Sequence, residues 1–133
     1  MNRVHKMTHP VLGVVSWSEV RSARPKGVCS WCFSDIQHTG RRTRCGKETC
    51  TENIRRLYSW GLCASSVMRR DHGKCVLCSD WATEIDHIIP LSLGGTGDMD
   101  NLRALCSKHH KLETALLRDE QVAYRASMDK ETV

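Results

Sequence analysis

The chain has 133 residues, with 20 Lys and Arg against 15 Asp and Glu, and a formal net charge of +5 with histidine neutral. That length suits one domain or two very small ones and is too short for a Rossmann or barrel enzyme. Aromatic residues make up only 5% of the chain, so the core must be thin and a metal or disulfide staple is expected. No apolar run approaches the ~18 residues of a membrane span, and we see no secretory signal, so we expect a cytoplasmic, intracellular protein.

The charge is divided unevenly along the chain. Residues 1–70 hold 13 basic and 4 acidic residues, whereas residues 71–133 hold 7 and 11, so the two parts carry +9 and −4. A basic half joined to an acidic half is typical of a protein that holds a polyanion with one part of its surface. A solvated basic surface explains the same composition, so charge alone does not decide.

The first half of the chain contains a candidate metal site. Residues 1–27 show no sustained hydrophobic period and predict a basic N-terminal tail, with a short strand at 11–17. Residues 28–61 form the first predicted module, which has four cysteines: Cys29, Cys32, Cys45 and Cys50. A two-residue gap lets one tight turn present two sulfur atoms to a tetrahedral Zn²⁺, and two further ligands complete the site. His38 is an alternative ligand, because the second pair is more widely spaced than usual.

Two short helices are predicted to connect the halves. The segment Thr49-Cys50-Thr51-Glu52 has the form of a capping box and predicts a helix near 51–59 that Gly61 ends. Residues 62–72 predict a second helix, stopped by Gly73. Cys63 is left over from the cysteine pairs and is interpreted as a small buried side chain.

Residues 62–133 form the second predicted module, in the order strand, loop, strand, helix after a cysteine turn. The β-branched stretch 82–89 predicts a strand that the next proline ends, and residues 101–105 predict another. Ser107 is the predicted N-cap of the last helix. Its apolar stripe, at i, i+3 and i+4 spacing, is expected to be buried: Leu112, Ala115, Leu116 and Val122. The whole chain is therefore predicted to be a small zinc-stabilised α+β protein.

A second candidate zinc site lies within this module. The pair Cys75 and Cys78 is matched by Cys106 and His109 at the same spacing. Disulfides are disfavoured because cytosolic thiols stay reduced, and a redox Cys-x-x-Cys motif lacks the βαβ pattern that it requires. His110 is turned by about 100° from its neighbour around the helix, so it is free to face a different site.

The residues between these ligands carry the most specific pattern in the chain. Asp86-His87 begins the line DHIIPLSLGG, 13 residues separate His87 from Asn101, and 8 separate Asn101 from His110 in LCSKHHK. With the cysteine turn at 75–78, this pattern resembles the HNH endonucleases, which have a ββα-metal fold. The upstream four-cysteine module with its basic helix is similar to a treble-clef-like module found before some HNH domains, so the resemblance covers roughly residues 28–117.

The resemblance implies a role for each residue of the pattern. His87 would deprotonate the attacking water, Asp86 and His110 would hold a divalent ion against the scissile phosphate, and Asn101 would orient His87. Two protein ligands suit Mg²⁺ or Mn²⁺ better than a tightly held zinc. Some relatives carry a further histidine where this chain has Thr114. Because a regular strand points adjacent side chains to opposite faces, the site is expected to need a break at the strand end.

Basic residues are expected to hold the substrate, double-stranded DNA. Arginine contacts to phosphate are sensitive to salt and independent of base sequence. The candidates are Arg41, Arg42, Arg44, Arg55, Arg56, Arg69, Arg70 and Lys111. Target sequence and oligomeric state stay open, since a monomer would more naturally nick one strand and a two-fold dimer could cut both.

The leading hypothesis is a metal-dependent DNA endonuclease or nickase with two structural zinc ions. The alternative is a non-catalytic, zinc-stabilised nucleic-acid-binding module in which the Asp86-His87 pair is dispensable. A protein-interaction zinc domain is a third interpretation, and it leaves the arginine-rich half without a role. Taken singly, each site residue has a structural explanation, such as a hydrogen bond to a zinc ligand. The order and spacing of these residues, taken together, favour the endonuclease hypothesis.

Overall fold

The computed structural model describes residues 4–36 and 42–131, and the side chains of residues 4–36 and 42–120. Within these residues the chain forms four α-helices and two antiparallel sheets of two strands each. This architecture confirms the predicted α+β class. Among these helices, none combines the length and the apolar character needed to cross a membrane.

The N-terminal segment folds onto the rest of the protein, which corrects the prediction of a tail over 1–27. Strand β1 (Met7–His9) pairs with β2 (Gly13–Val15), and helix α1 (Trp17–Ala23) follows, capped by Ser16. Strand β2 lies within the short strand predicted at 11–17, whereas β1 was not predicted, because three residues are too few to show an alternating period. The three elements contribute to one apolar cluster that also includes a residue of the next helix: Met7, Val15, Val20 and Leu57.

Helices α2 (Glu48–Tyr58) and α3 (Trp60–Arg70) follow each other almost without a gap. Ser59 ends the first and caps the second, because its Oγ accepts a hydrogen bond from the Leu62 N–H. Gly61 therefore lies in the first turn of α3, and the prediction that it ends a helix is wrong.

The start of α2 also differs from the prediction. The N-cap is Lys47, which makes no side-chain capping hydrogen bond, so the capping box predicted at 49–52 does not form. The helix begins about one turn earlier than expected and includes Cys50 in that turn. The end of α3 agrees with the prediction, since Gly73 adopts a φ of +69° and its N–H donates to the Met68 carbonyl at 2.8 Å.

The second half has the predicted order of elements. Strand β3 (Glu84–His87) pairs antiparallel with β4 (Leu102–Leu105), and helix α4 (Ser107–Glu131) packs against both. The loop between the strands contains two short 3₁₀ turns, Leu91–Leu93 and Met99–Asn101. The core behind this sheet is formed with α3 by Cys63, Val67 and Leu102.

The apolar stripe of α4 is exposed, contrary to the prediction. Leu112 is 50% exposed and Leu116 is 56% exposed, and Ala115 is exposed as well. The side chain of Val122 lies outside the described residues. Helical spacing shows that these residues share a face, but no described element of the chain packs against that face.

The N-terminal strand is fastened to the loop between β3 and β4. The Thr8 N–H donates to Asp98 Oδ1 at 2.8 Å, and the Gly97 N–H donates to the Lys6 carbonyl at 2.7 Å. A Cβ at Gly97 would clash with the His5 ring, so a larger residue would require that side chain to move. The Cys63 thiol donates to the Gly97 carbonyl at 3.4 Å, and burial raises the pKa of this thiol to about 11. Cys63 is thus a buried side chain, as predicted, and its raised pKa keeps the thiol protonated.

Candidate functional site

The first cysteine cluster brings its four predicted ligands together. The sulfur atoms of Cys29, Cys32, Cys45 and Cys50 all lie within 4.8 Å of one another. The turn at the first pair closes when the Cys29 N–H donates to the Ser34 carbonyl at 2.9 Å and the Phe33 N–H donates to the Cys29 carbonyl at 3.0 Å. This donor set is compatible with a tetrahedral zinc ion. His38 lies outside the described residues.

The second cluster has the same form with a histidine as the fourth donor. Its ligand atoms, from Cys75, Cys78, Cys106 and His109, also lie within 4.8 Å of one another. The Cys78 and Cys106 sulfurs are 3.8 Å apart, and His109 Nδ1 is 3.2 Å from the Cys106 sulfur. Neighbouring ligands of a tetrahedral zinc are roughly 3.3–3.8 Å apart, given bonds of ~2.3 Å to sulfur and ~2.0 Å to nitrogen. The residues present therefore fit a zinc ion.

Next to the second cluster, His110 turns away from its neighbour His109 and faces the sheet, as the helical geometry predicts. Its Nε2 lies 4.0 Å from Asp86 Oδ1. Asp86 is buried, and its other oxygen accepts a hydrogen bond from Arg103 Nε at 2.9 Å. Two ligand atoms on a divalent ion lie about 3–4.2 Å apart when each bond is ~2.1 Å. The oxygen and nitrogen that face each other are thus spaced to share an ion.

Two charged residues that the sequence analysis did not place at this site also belong to the arrangement. Glu84 Oε2 contacts Nδ1 of His110, and Arg103 holds the Asp86 carboxylate. The signals were present in the strand pattern. Glu84 lies two residues before Asp86 and so shares its face, and Arg103 lies directly opposite Asp86 in the strand pair.

His87 lies on the opposite face of β3, towards α3. Its ring stacks on Trp60, with the ring centroids 5.3 Å apart and the planes 14° from parallel. Burial lowers the pKa of His87 below its ordinary value of 6.5, an effect that the Asp86 charge opposes. No sequence signal pointed to Trp60, because it is far from His87 along the chain and belongs to the preceding helix.

Strand β3 is regular up to its last residue, His87, although we expected the site to need a break at the strand end. His87 remains paired opposite Leu102, and the next residue continues the pairing, since the Ile88 N–H donates to the Asn101 carbonyl at 2.8 Å. Asp86, His87 and His110 nevertheless line one cleft of about 340 Å³ at the end of the sheet. Both faces of the strand therefore open onto the same space without a break.

Asn101 ties together the loop that follows His87. Its Oδ1 accepts from the Ile89 N–H at 2.9 Å, and its Nδ2 donates to the carbonyls of Ile89 and Thr96 at 3.1 and 2.7 Å. Gly95 permits this close folding, because a Cβ there would lie 1.7 Å from the Ile89 carbonyl oxygen. These bonds fix the backbone of the loop that follows His87.

The predicted phosphate-binding residues differ in whether their side chains are hydrogen-bonded within the protein. Arg55 and Arg69 are exposed and line a narrow groove between α2 and α3. Arg42, Arg44 and Lys111 are also exposed, and Arg41 lies outside the described residues. These exposed side chains are available to a polyanion.

Two of the predicted phosphate ligands are already bound within the protein. The Arg70 guanidinium donates to the Asp71 carboxylate and, at 2.6 Å each, to the carbonyls of Met99 and Leu102. Arg56 donates to Asn53 Oδ1 at 2.6 Å. Arg70 therefore fastens α3 to β4, and its assignment to phosphate stays a prediction.

Comparison with known proteins identifies one segment of the chain. Residues 70–116 match the family model described as HNH endonuclease. No curated protein and no solved structure matches the chain. The matched segment is about a third of the sequence, 47 of 133 residues, and it includes the second cysteine cluster, both strands of the sheet and the start of α4. Residues 70–116 therefore match the HNH endonuclease family, as their motif predicts, and this match suggests a nuclease-type function.

Proposed function

We propose that the protein is a metal-dependent DNA endonuclease or nickase that hydrolyses phosphodiester bonds. The observation that carries the proposal is the 4.0 Å approach of Asp86 Oδ1 to His110 Nε2, in a cleft that His87 also lines. Asp86 and His110 hold Mg²⁺ or Mn²⁺, since a carboxylate, an imidazole and retained water suit these ions. Zinc in the two cysteine clusters is structural.

Each protein group has a distinct task in the proposed reaction. When bound, the divalent ion stabilises charge on the phosphate and the leaving oxygen. His87 accepts the proton of the attacking water, and its lowered pKa keeps the imidazole neutral for this purpose at neutral pH. Asn101 fixes the backbone beside His87 through its three side-chain hydrogen bonds. Trp60 restricts the tilt of the His87 ring by stacking on it.

The substrate is held by the exposed basic residues of both modules. Arg42, Arg44, Arg55, Arg69 and Lys111 contact phosphate oxygens without reading base sequence. This binding is strongly dependent on salt, because each neutralised phosphate releases counterions. The same surface would serve a non-catalytic binding module, so the two functions are distinguished by cleavage and not by binding.

Plasmid relaxation tests the proposal. Supercoiled DNA is incubated with zinc-loaded protein and Mg²⁺ or Mn²⁺, with and without EDTA, beside the His87→Ala variant. We expect nicked or linear product only with the parent and the divalent ion. The matched control is His72→Asn, which changes an exposed histidine whose φ of +57° asparagine tolerates.

The two variants are also compared for zinc content and for gel shift of the same DNA. Cleavage by His87→Ala at the parent rate would contradict the assigned base. A parent that shifts DNA without cutting it under any of these conditions would favour the non-catalytic binding module.

A further inference from the structure

We infer that Glu84 is a positioning residue for the divalent-ion site, and that its carboxylate holds Nδ1 of His110 so that Nε2 is the nitrogen that binds the ion. This inference rests on the proposed function, because it concerns the site formed by Asp86 and His110. It assigns a purpose to a carboxylate that the HNH pattern leaves unexplained.

The two nitrogens of His110 face two different carboxylates. Nδ1 contacts Glu84 Oε2, whereas Nε2 points towards Asp86 Oδ1 at 4.0 Å. A carboxylate that accepts a hydrogen bond from one ring nitrogen fixes the proton there and leaves the other nitrogen free to bind a metal. The position of Glu84 therefore selects Nε2, which is the nitrogen on the side of Asp86.

Glu84 has no other described partner. Its Oε2 atom is shielded from solvent, and within the described residues no group other than the His110 ring is placed to satisfy it. The backbone of Glu84 is fixed by its pairing opposite Leu105 in the sheet. A shielded carboxylate oxygen without a donor is costly, so an N–H at Nδ1 of His110 is the arrangement that stabilises it.

Asp86 is held in the same manner from its other side. Arg103 Nε donates to Oδ2 of Asp86 at 2.9 Å and leaves Oδ1 facing the histidine. Arg103 is itself placed by Glu113, whose Oε2 lies 3.4 Å from Nη2 of the arginine. Each proposed ligand is thus fastened by the atom that does not face the ion, which reduces the freedom lost when the ion binds.

Glu84 is not placed to be a direct ligand of the same ion. An ion between Asp86 Oδ1 and His110 Nε2 lies on the side of the imidazole ring away from Nδ1, where Glu84 makes its contact. A carboxylate behind the histidine acts through the ring and not on the ion. Loss of Glu84 should therefore weaken ion binding and release the ring without removing a ligand.

The experiment measures the proton position on His110 and the affinity for Mn²⁺ separately. Zinc-loaded, ¹⁵N-histidine-labelled protein is examined by NMR at about pH 8 before Mn²⁺ is added, so that the neutral ring tautomer is observed. We expect the parent to carry the His110 proton on Nδ1 and Glu84→Gln to shift it towards Nε2. Calorimetric titration with Mn²⁺ should show a roughly 10- to 100-fold weaker affinity for Glu84→Gln.

Two further variants define the outcomes. Asp119→Asn removes one negative charge from an exposed position of α4 and should change neither measurement, and Asp86→Asn removes a proposed ligand.

A parent with the His110 proton on Nε2, or a Glu84→Gln protein with parental tautomer and affinity, would overturn the inference. If Glu84→Gln lost Mn²⁺ binding as completely as Asp86→Asn and kept the parental tautomer, Glu84 would be a direct ligand of the ion. This result would also overturn the inference. A parent whose Mn²⁺ affinity is unaffected by Asp86→Asn would instead contradict the proposed ion site, while the tautomer result would still test Glu84.

Discussion

The two cysteine modules share one plan and differ in what separates their ligand pairs. In each, the Cys-x-x-Cys turn is followed by a residue with left-handed φ, Phe33 at +58° or Ser79 at +65°, and is closed by a single antiparallel bridge. In each, the other two ligands lie at the start of a helix, around the first turn of α2 or of α4. The turn and the helix therefore form a common frame for a metal.

The difference is the hairpin inserted into the second frame. Strands β3 and β4 lie between Cys78 and Cys106 and carry Glu84, Asp86 and His87. In the first module, the described residues between Cys32 and Cys45 form no strand beyond the single bridge. The family match at 70–116 covers the module with the hairpin and not the other. The two cysteine clusters thus share one backbone arrangement, and only the second carries the residues of the proposed chemistry, on its hairpin.

The largest expected effect comes from substituting one cysteine ligand in each of the two clusters in turn. Cys75→Ser should lower the zinc content from two ions per chain to one and unfold the second module, because a structural zinc contributes about 10–16 kcal/mol to such folds. Cleavage should be lost. Cys29→Ser should also remove one zinc but leave the hairpin folded, with weaker DNA binding.

Metal analysis, thermal unfolding and plasmid relaxation on the same preparations check this prediction. Cys63→Ala is the control, because this buried thiol belongs to neither cluster, and both zinc ions should be retained. Equal loss of hairpin structure in Cys29→Ser and Cys75→Ser would show that the two frames do not fold separately, and the comparison would fail.

The stacking contact between Trp60 and His87 should affect the rate of cleavage more than it affects the binding of DNA. Trp60→Leu removes the ring that stacks on His87, and misplacement of a catalytic group by about 1 Å can cost roughly 100-fold in rate. We expect kcat to fall by about 10- to 100-fold with KM little changed, and Trp60→Phe to restore part of the rate.

Steady-state cleavage kinetics check the Trp60 prediction. Trp81→Leu is the matched control, since Trp81 is 75% exposed. A Trp60→Leu protein with parental kcat would show that stacking does not position His87.

The basic groove should affect binding and not chemistry. The double variant Arg55→Gln/Arg69→Gln should reduce the slope of log affinity against log salt by about 2, or about 1 for each phosphate that is no longer neutralised. The cleavage rate at saturating protein should stay near that of the parent. Gel shifts over a series of salt concentrations measure the slope, and an unchanged slope would remove these two arginines from the interface.

The smallest expected effect is on the pH dependence. Burial lowers the pKa of His87, and a divalent ion on Asp86 would lower it further by repelling the imidazolium charge. The neutral base is present above its pKa, so kcat/KM should rise with pH to a plateau, with an inflection below ~6.5. Trp60→Leu exposes the ring to water and should move the inflection upwards. A parental inflection above ~7 would contradict a buried His87 as the base.

The sequence predicted the metal clusters well because ligand spacing is a local property. Cys75 and Cys78 close one turn, and Cys106 and His109 lie on one helical turn, so their neighbours along the chain already fix their geometry. The motif residues also came together where expected, since Asp86 and His110 are carried by elements that the sequence predicts.

What could not be predicted depends on packing between distant segments. Trp60 stacks on His87 only because α3 packs on the hairpin, and Arg70 is engaged by carbonyls of residues far along the chain, Met99 and Leu102. The stripe that includes Leu112 and Leu116 is apolar and correctly spaced, yet spacing cannot show whether a partner covers it. Strand β1 has too few residues to produce a period.

The most direct test of the separation between DNA binding and chemistry compares the two properties in two variants. Single-turnover cleavage of a supercoiled plasmid with Mn²⁺ is measured at saturating protein, and DNA affinity by gel shift, for His87→Ala and for Arg55→Gln/Arg69→Gln. We predict that His87→Ala binds like the parent and loses at least ~100-fold in rate, whereas the arginine variant binds more weakly and cuts at the parental rate once saturated. Cleavage by His87→Ala at the parental rate, or loss of rate at saturation in the arginine variant alone, would contradict the assignment of chemistry to the hairpin.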